Sequence, residues 1–159
     1  MGSTEVVVVG VNSDTESGST LCFAVQEACR RNALLRVVSA FESSGVFGTR
    51  YGLPIPVSDD EISAKIEVQT EALVMKAMAD APHQVPVEVV VRAGSTGWVL
   101  TEESKRADLL IVGHADVMSV LFGSVGLHCV LHAHCPVTVV RPVEARLGGE
   151  KEEDEVSTS

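Results

Sequence analysis

The residues best suited to chemistry lie between Gly113 and Cys135. Gly113-His114-Ala115-Asp116 closes one apolar run, and Gly123-Ser124-Val125 opens a new periodic segment. A Gly-Ser pair at the start of a helix offers backbone N–H groups and a hydroxyl, which is how a phosphate is held. The same serine also serves as an ordinary helix cap. Asp116 opposes the phosphate reading, because a carboxylate ~4 Å from a phosphate charge costs roughly 4 kcal/mol at an effective dielectric near 20. That is about three orders of magnitude in affinity. The residues that follow, Val117-Met118-Ser119-Val120-Leu121-Phe122, are apolar where a cradle should be small and polar.

Two other groupings invite chemistry. His114, beside Asp116, could serve as a base, but no nucleophile elbow and no second catalytic partner accompany it, so no catalysis is expected. His128 and His132 lie one helical turn apart, with Cys129, His134 and Cys135 nearby. The spacing supplies two metal ligands, yet there is no Cys-x-x-Cys pair and no close carboxylate to complete a set, so no metal is expected. Trp98, Met75 and Met118 read as packing residues.

These residues need elements to position them. Glu5 to Val11 is a continuous β-branched run and reads as a first strand, ending in the polar turn Asn12-Ser13-Asp14. Leu21, Ala24, Val25 and Ala28 follow at helical spacing, giving a helix over Ser17 to Arg31 with Asn32 suited to a left-handed cap. Leu34 to Phe41 is strand 2. A long loop rich in Gly and Pro runs over residues 43–56 and carries Phe47 and Tyr51. Ser58-Asp59-Asp60-Glu61 is a capping-box pattern that opens a helix to about Ala81, with Ile62, Ile66, Leu73 and Ala77 on one face. Strand 3 spans Val85 to Arg92, and Ser95 caps a helix to about Arg106. Leu109 to Val112 is strand 4, Ser124 to about Ala133 a helix, and Val137 to Arg141 strand 5. Helices alternating with buried strands imply a three-layer α/β domain, a parallel sheet with helices on both faces. Ligands of such sheets sit beyond the carboxyl ends of the strands where strand order reverses. That crevice is lined by Asn12 to Asp14, the end of strand 2 near Ala40, and the loop from Gly113 to Ser124.

With 159 residues and 45% apolar content, one domain is expected, its core aliphatic because aromatics make up only 4%. The net charge of −10 is unevenly spread, with four of its units falling from Glu144 to Glu155, where six acidic residues face two basic ones. Residues 143–159 therefore read as a solvated acidic tail, set apart from a domain over residues 1–142. No Lys/Arg stripe is present to neutralise a nucleic-acid backbone, so nucleic acid is not an expected partner. No apolar run approaches the roughly 20 residues of a membrane span. Cys22, Cys29, Cys129 and Cys135 lie within or beside predicted elements and read as reduced core thiols of a cytoplasmic protein. The amino terminus carries no basic region, so no signal peptide is expected.

From Val6 to Pro142 the residues resemble the universal stress proteins. The likeness is carried by Val9-Gly10-Val11-Asn12-Ser13, Glu27-Ala28-Cys29-Arg30-Arg31, Leu35 to Ala40, Ala107 to Gly113, Gly123-Ser124-Val125, His132-Ala133 and Cys135-Pro136-Val137. The resemblance implies a five-stranded fold of the adenine-nucleotide alpha-hydrolase kind, with strand order 3-2-1-4-5 and a homodimer through strand 5, that is, Val137, Val139 and Val140. It also implies a choice, since some members bind ATP and others do not. The binding members carry Gly, two residues, Gly, nine residues, then Gly-Ser/Thr, and an Asp after strand 1.

This sequence departs from that pattern. Gly113 matches the first glycine, Asp116 replaces the second, only six residues separate it from Gly123-Ser124, and Asn12 replaces the Asp. The expectation is a non-enzymatic response or signalling module, with an unidentified signalling partner, no cofactor, and ATP binding weak or lost. The alternative is a sensor that holds ATP, AMP or cyclic AMP in a degenerate crevice. Its residues would be Asn12, Ser13, Ala40, Gly113, His114, Asp116, Gly123, Ser124 and Val125.

Overall fold

The computed structural model describes residues 2–12, 17–43, 58–113 and 125–141. In chain order the elements are β1 (Val6–Gly10), α1 (Ser17–Arg31), β2 (Leu34–Phe41), α2 (Asp59–Met78), β3 (Val87–Ala93), α3 (Thr96–Ser104), β4 (Leu109–Gly113), α4 (Val125–His132) and β5 (Val137–Val140). The strands form one five-stranded sheet in the order β3-β2-β1-β4-β5, all pairs parallel. Strand order reverses at β1, which pairs with β2 on one side and β4 on the other.

The β-branched run in β1 explains its central place. Val7, Val8 and Val9 are all fully buried, so neither face of the strand meets water. Val7 and Val9 join Leu35, Val37, Leu109 and Ile111 under α1 and α2. Val8 joins Val38, Leu110 and Val112 under α3 and α4. The sheet thus has a core layer on each side. Leu21, Ala24, Val25 and Ala28 of α1 are all buried, as their spacing requires. Asn32 takes φ 49°, the left-handed turn that ends this helix.

The caps divide. Ser58 accepts a bond from the Glu61 N–H at 3.3 Å, the capping interaction expected of that pattern. Ser95 occupies the cap position of α3 with extended backbone, but its side chain makes no cap bond. Gly10 marks a close approach between layers, since a Cβ there would stand 2.6 Å from Leu100 Cδ1 of α3.

Two packing expectations are corrected. Met75 is not core filler: it is 75% exposed. The buried residues of α2 are Thr70, Val74, Ala77 and Met78, which turns Met75 outward. Cys22 is exposed on α1, whereas Cys29 and Cys129 are buried, and none of the four cysteines is in a disulfide. Trp98, read as a packing residue, is half-exposed at the start of α3 with the Arg92 guanidinium 5.6 Å from its ring centre. The loop carrying Phe47 and Tyr51, the 117–122 segment with Met118, and the acidic tail lie outside the described residues.

Candidate functional site

Strand register assembles the crevice. Gly10 pairs with Val38, so the chain two residues on brings Asn12 level with Ala40. Val9 pairs with Ile111, which brings Val11 level with Gly113. Ala40 and Gly113 therefore lie at the carboxyl ends of β2 and β4, and Asn12 lies just beyond that of β1 between them, where strand order reverses. Val125 is the first residue of α4 and packs against the core layer under α3 and α4. Of the nine residues expected to line the site, these four are described; Ser13, His114, Asp116, Gly123 and Ser124 lie outside the described residues.

The floor of the crevice is fixed by hydrogen bonds from the core. The Val11 N–H donates to the Val38 carbonyl at 2.9 Å, and the buried Ser39 hydroxyl donates to the Val11 carbonyl at 2.9 Å. These bonds use up the backbone of Val11 and leave Asn12 exposed at the rim. Asn12, Ala40, Gly113 and Val125 are all uncharged, so these four side chains supply no cation for a phosphate. Among the described residues at these strand ends, only backbone N–H groups and the Asn12 amide could meet a phosphate.

A second concavity went unseen in the sequence. A groove of about 670 Å³ opens between the β2–β3 face and α3, and charged side chains line it. Arg36 bonds Glu88 at 2.9 Å and reaches Glu103 at 3.6 Å, and Arg92 bonds Glu103 at 2.9 Å. No sequence spacing signals this network, because it depends on Arg36 pairing with Glu88 across the sheet. Its charges largely satisfy one another, so the groove fastens α3 to the sheet more than it offers an anion site.

Among the described residues no three His, Cys, Asp or Glu side chains come together as a metal set. Cys129 is buried in the core. Burial, aided by the Asp108 carboxylate, pushes the Cys135 thiol above its usual range and keeps it protonated. Neither is a ready thiolate ligand.

Comparison with known proteins places the chain. The model of the universal stress protein family matches residues 4–141. A universal stress protein of Mycobacterium tuberculosis (strain ATCC 25618 / H37Rv) is 27% identical over 140 residues, covering 86% of this chain and 48% of that one. One from Mycolicibacterium smegmatis is 26% identical over 140 residues, covering 84% and 47%. The chain spans about half the length of these curated relatives. Among solved structures, a universal stress protein in complex with cAMP has a TM-score of 0.64 at 21% identity, covering 87% of this chain and 98% of that one. An Archaeoglobus fulgidus universal stress protein in complex with dAMP has a TM-score of 0.57 at 20% identity, with the same coverage. UspA from Lactobacillus plantarum has a TM-score of 0.61 at 19% identity, covering 89% and 100%. These likenesses show a shared fold.

Proposed function

The chain belongs to the universal stress protein family, and from that premise we propose that it is a non-enzymatic response and signalling module whose ATP binding is weak or lost. The observation that carries this reading is Asp116. It stands where nucleotide-binding members of the family need a glycine, in a loop three residues short before Gly123-Ser124. The uncharged rim supports it, because Asn12, Ala40, Gly113 and Val125 do nothing to offset an added carboxylate. The module works as a cytoplasmic homodimer joined through Val137, Val139 and Val140 of β5, with an unidentified signalling partner. Among the described residues no helix is long and apolar enough to cross a membrane.

A second reading, a sensor of a smaller adenine nucleotide, draws on the structural neighbours captured with cAMP and dAMP. A ligand with one phosphate asks less of a shortened loop than ATP does. Asn12, the Ala40 backbone and Ser124 would be its contacts.

Calorimetric titration with ATP, AMP and cyclic AMP separates the two. Absent or millimolar binding of all three supports the first reading, and tight binding of a monophosphate alone supports the second. Submicromolar binding of Mg-ATP overturns the argument from Asp116. Asp116→Gly should raise ATP affinity by up to about a thousandfold if charge is the main obstacle. No gain would place the obstacle in the loop's length.

A further inference from the structure

Away from the crevice, α4 carries a histidine pair whose geometry says more than its spacing. His128 and His132 stand one turn apart with ring centroids 4.7 Å apart and planes tilted by 46°. The His128 ring rests against Gly97 of α3, where a Cβ would come within 3.0 Å of its Cδ2 and 3.1 Å of its Cγ. Glycine at 97 is what lets the ring sit there. His128 is half-buried and His132 exposed, so the pair opens to solvent. Among the described residues neither ring is engaged in a hydrogen bond or an ion pair.

We propose that His128 and His132 form a two-imidazole chelate for a late first-row divalent cation, Cu(II) in preference to Zn(II), with water completing the coordination. A closed structural site requires about four protein ligands, and the expectation of no metal rested on the lack of that set. An open surface chelate requires only two donors on one helix face, which four-residue spacing supplies. Imidazole suits both metals, and the ordinary order of divalent affinities puts Cu(II) first. Water is the natural completion here, because Cys129 is buried in the core and Cys135 keeps its proton. Binding would tie successive turns of an eight-residue helix, which is too short to hold its shape alone.

The test uses the full chain without a polyhistidine tag and Cu(II) alone, followed by calorimetry and electron paramagnetic resonance. The expected result is one Cu(II) per chain with nitrogen hyperfine structure from two imidazoles, and weaker binding of Zn(II). His128→Asn and His132→Asn should each lower Cu(II) affinity at least tenfold, whereas His83→Asn and Cys22→Ser should leave it unchanged. Gly97→Ala, which displaces one ring without deleting a donor, should also weaken it. His132 is exposed, so its variant remains informative even if the His128 variant folds poorly. Unchanged affinity in His132→Asn, or the same nitrogen signature in the double His variant, would overturn the proposal.

Discussion

At one edge of the sheet, β3 sends Glu88 and Arg92 into ion pairs with Arg36 and Glu103; at the other, β5 is Val137-Thr138-Val139-Val140, with no charge at all. An edge strand presents unpaired backbone groups that can template another strand, and charged side chains are a common guard against it. The β3 edge has that guard. The β5 edge lacks it, and its neighbour α4 carries no Lys, Arg, Asp or Glu either. Gly126 and Cys129 of α4 are buried, and His128 faces Gly97 of α3. Leu127, Val130 and Leu131 are left 51%, 53% and 67% exposed. Val139, two residues beyond Val137 and so on the same sheet face, adds to this apolar surface.

The contrast teaches how a chain of net charge −10 can meet a second copy of itself. Two such molecules repel, and an interface must be found where neither brings charge. In the homodimer proposed above, the β5 edge and α4 would provide it, while the β3 edge spends its charges inside one molecule.

The largest expected effect comes from putting a charge on the bare edge. Val139→Asp should weaken self-association at least a hundredfold, about 2.7 kcal/mol, as read by sedimentation equilibrium. An unchanged mass would remove β5 from the interface. Glu103→Gln attacks the opposite edge: it leaves Arg36 and Arg92 without their shared acid and should cost about 2 kcal/mol in urea unfolding. Association should stay as it is; if it falls with stability, the two edges are not independent. Leu131→Lys asks whether the helix flank belongs with the strand. It should weaken association about tenfold, about 1.4 kcal/mol, with folding stability changed by less than about 0.5 kcal/mol.

The bare edge was legible in the sequence and the guarded one was not, for a physical reason. Val6 to Val9 and Val137 to Val140 declare buried or uncharged strands by composition alone, and Asn32 declares its turn by side-chain type. Arg36, Glu88, Arg92 and Glu103 come from three elements, so their network exists only once β2 and β3 are in register. Met75 misled because its hydrophobicity says nothing of which way α2 rolls on the sheet. Chain order and periodicity were enough to put Ala40 and Gly113 at strand carboxyl ends and Asn12 just beyond one. The proposal about Asp116 rests on its chemistry in the glycine pattern, not on any position in the fold.

The Arg36–Glu103–Arg92 network also bears on heat. Warming lowers the cost of stripping water from charged groups, so ion-pair networks lose less of their worth at high temperature than isolated contacts do. The β2–β3–α3 corner should therefore be the last part of the molecule to loosen, and the short β5 and α4 the first. Amide exchange along a temperature series would trace this as a gradient across the sheet. Heat would then loosen the uncharged edge of the sheet before it loosened the charged one.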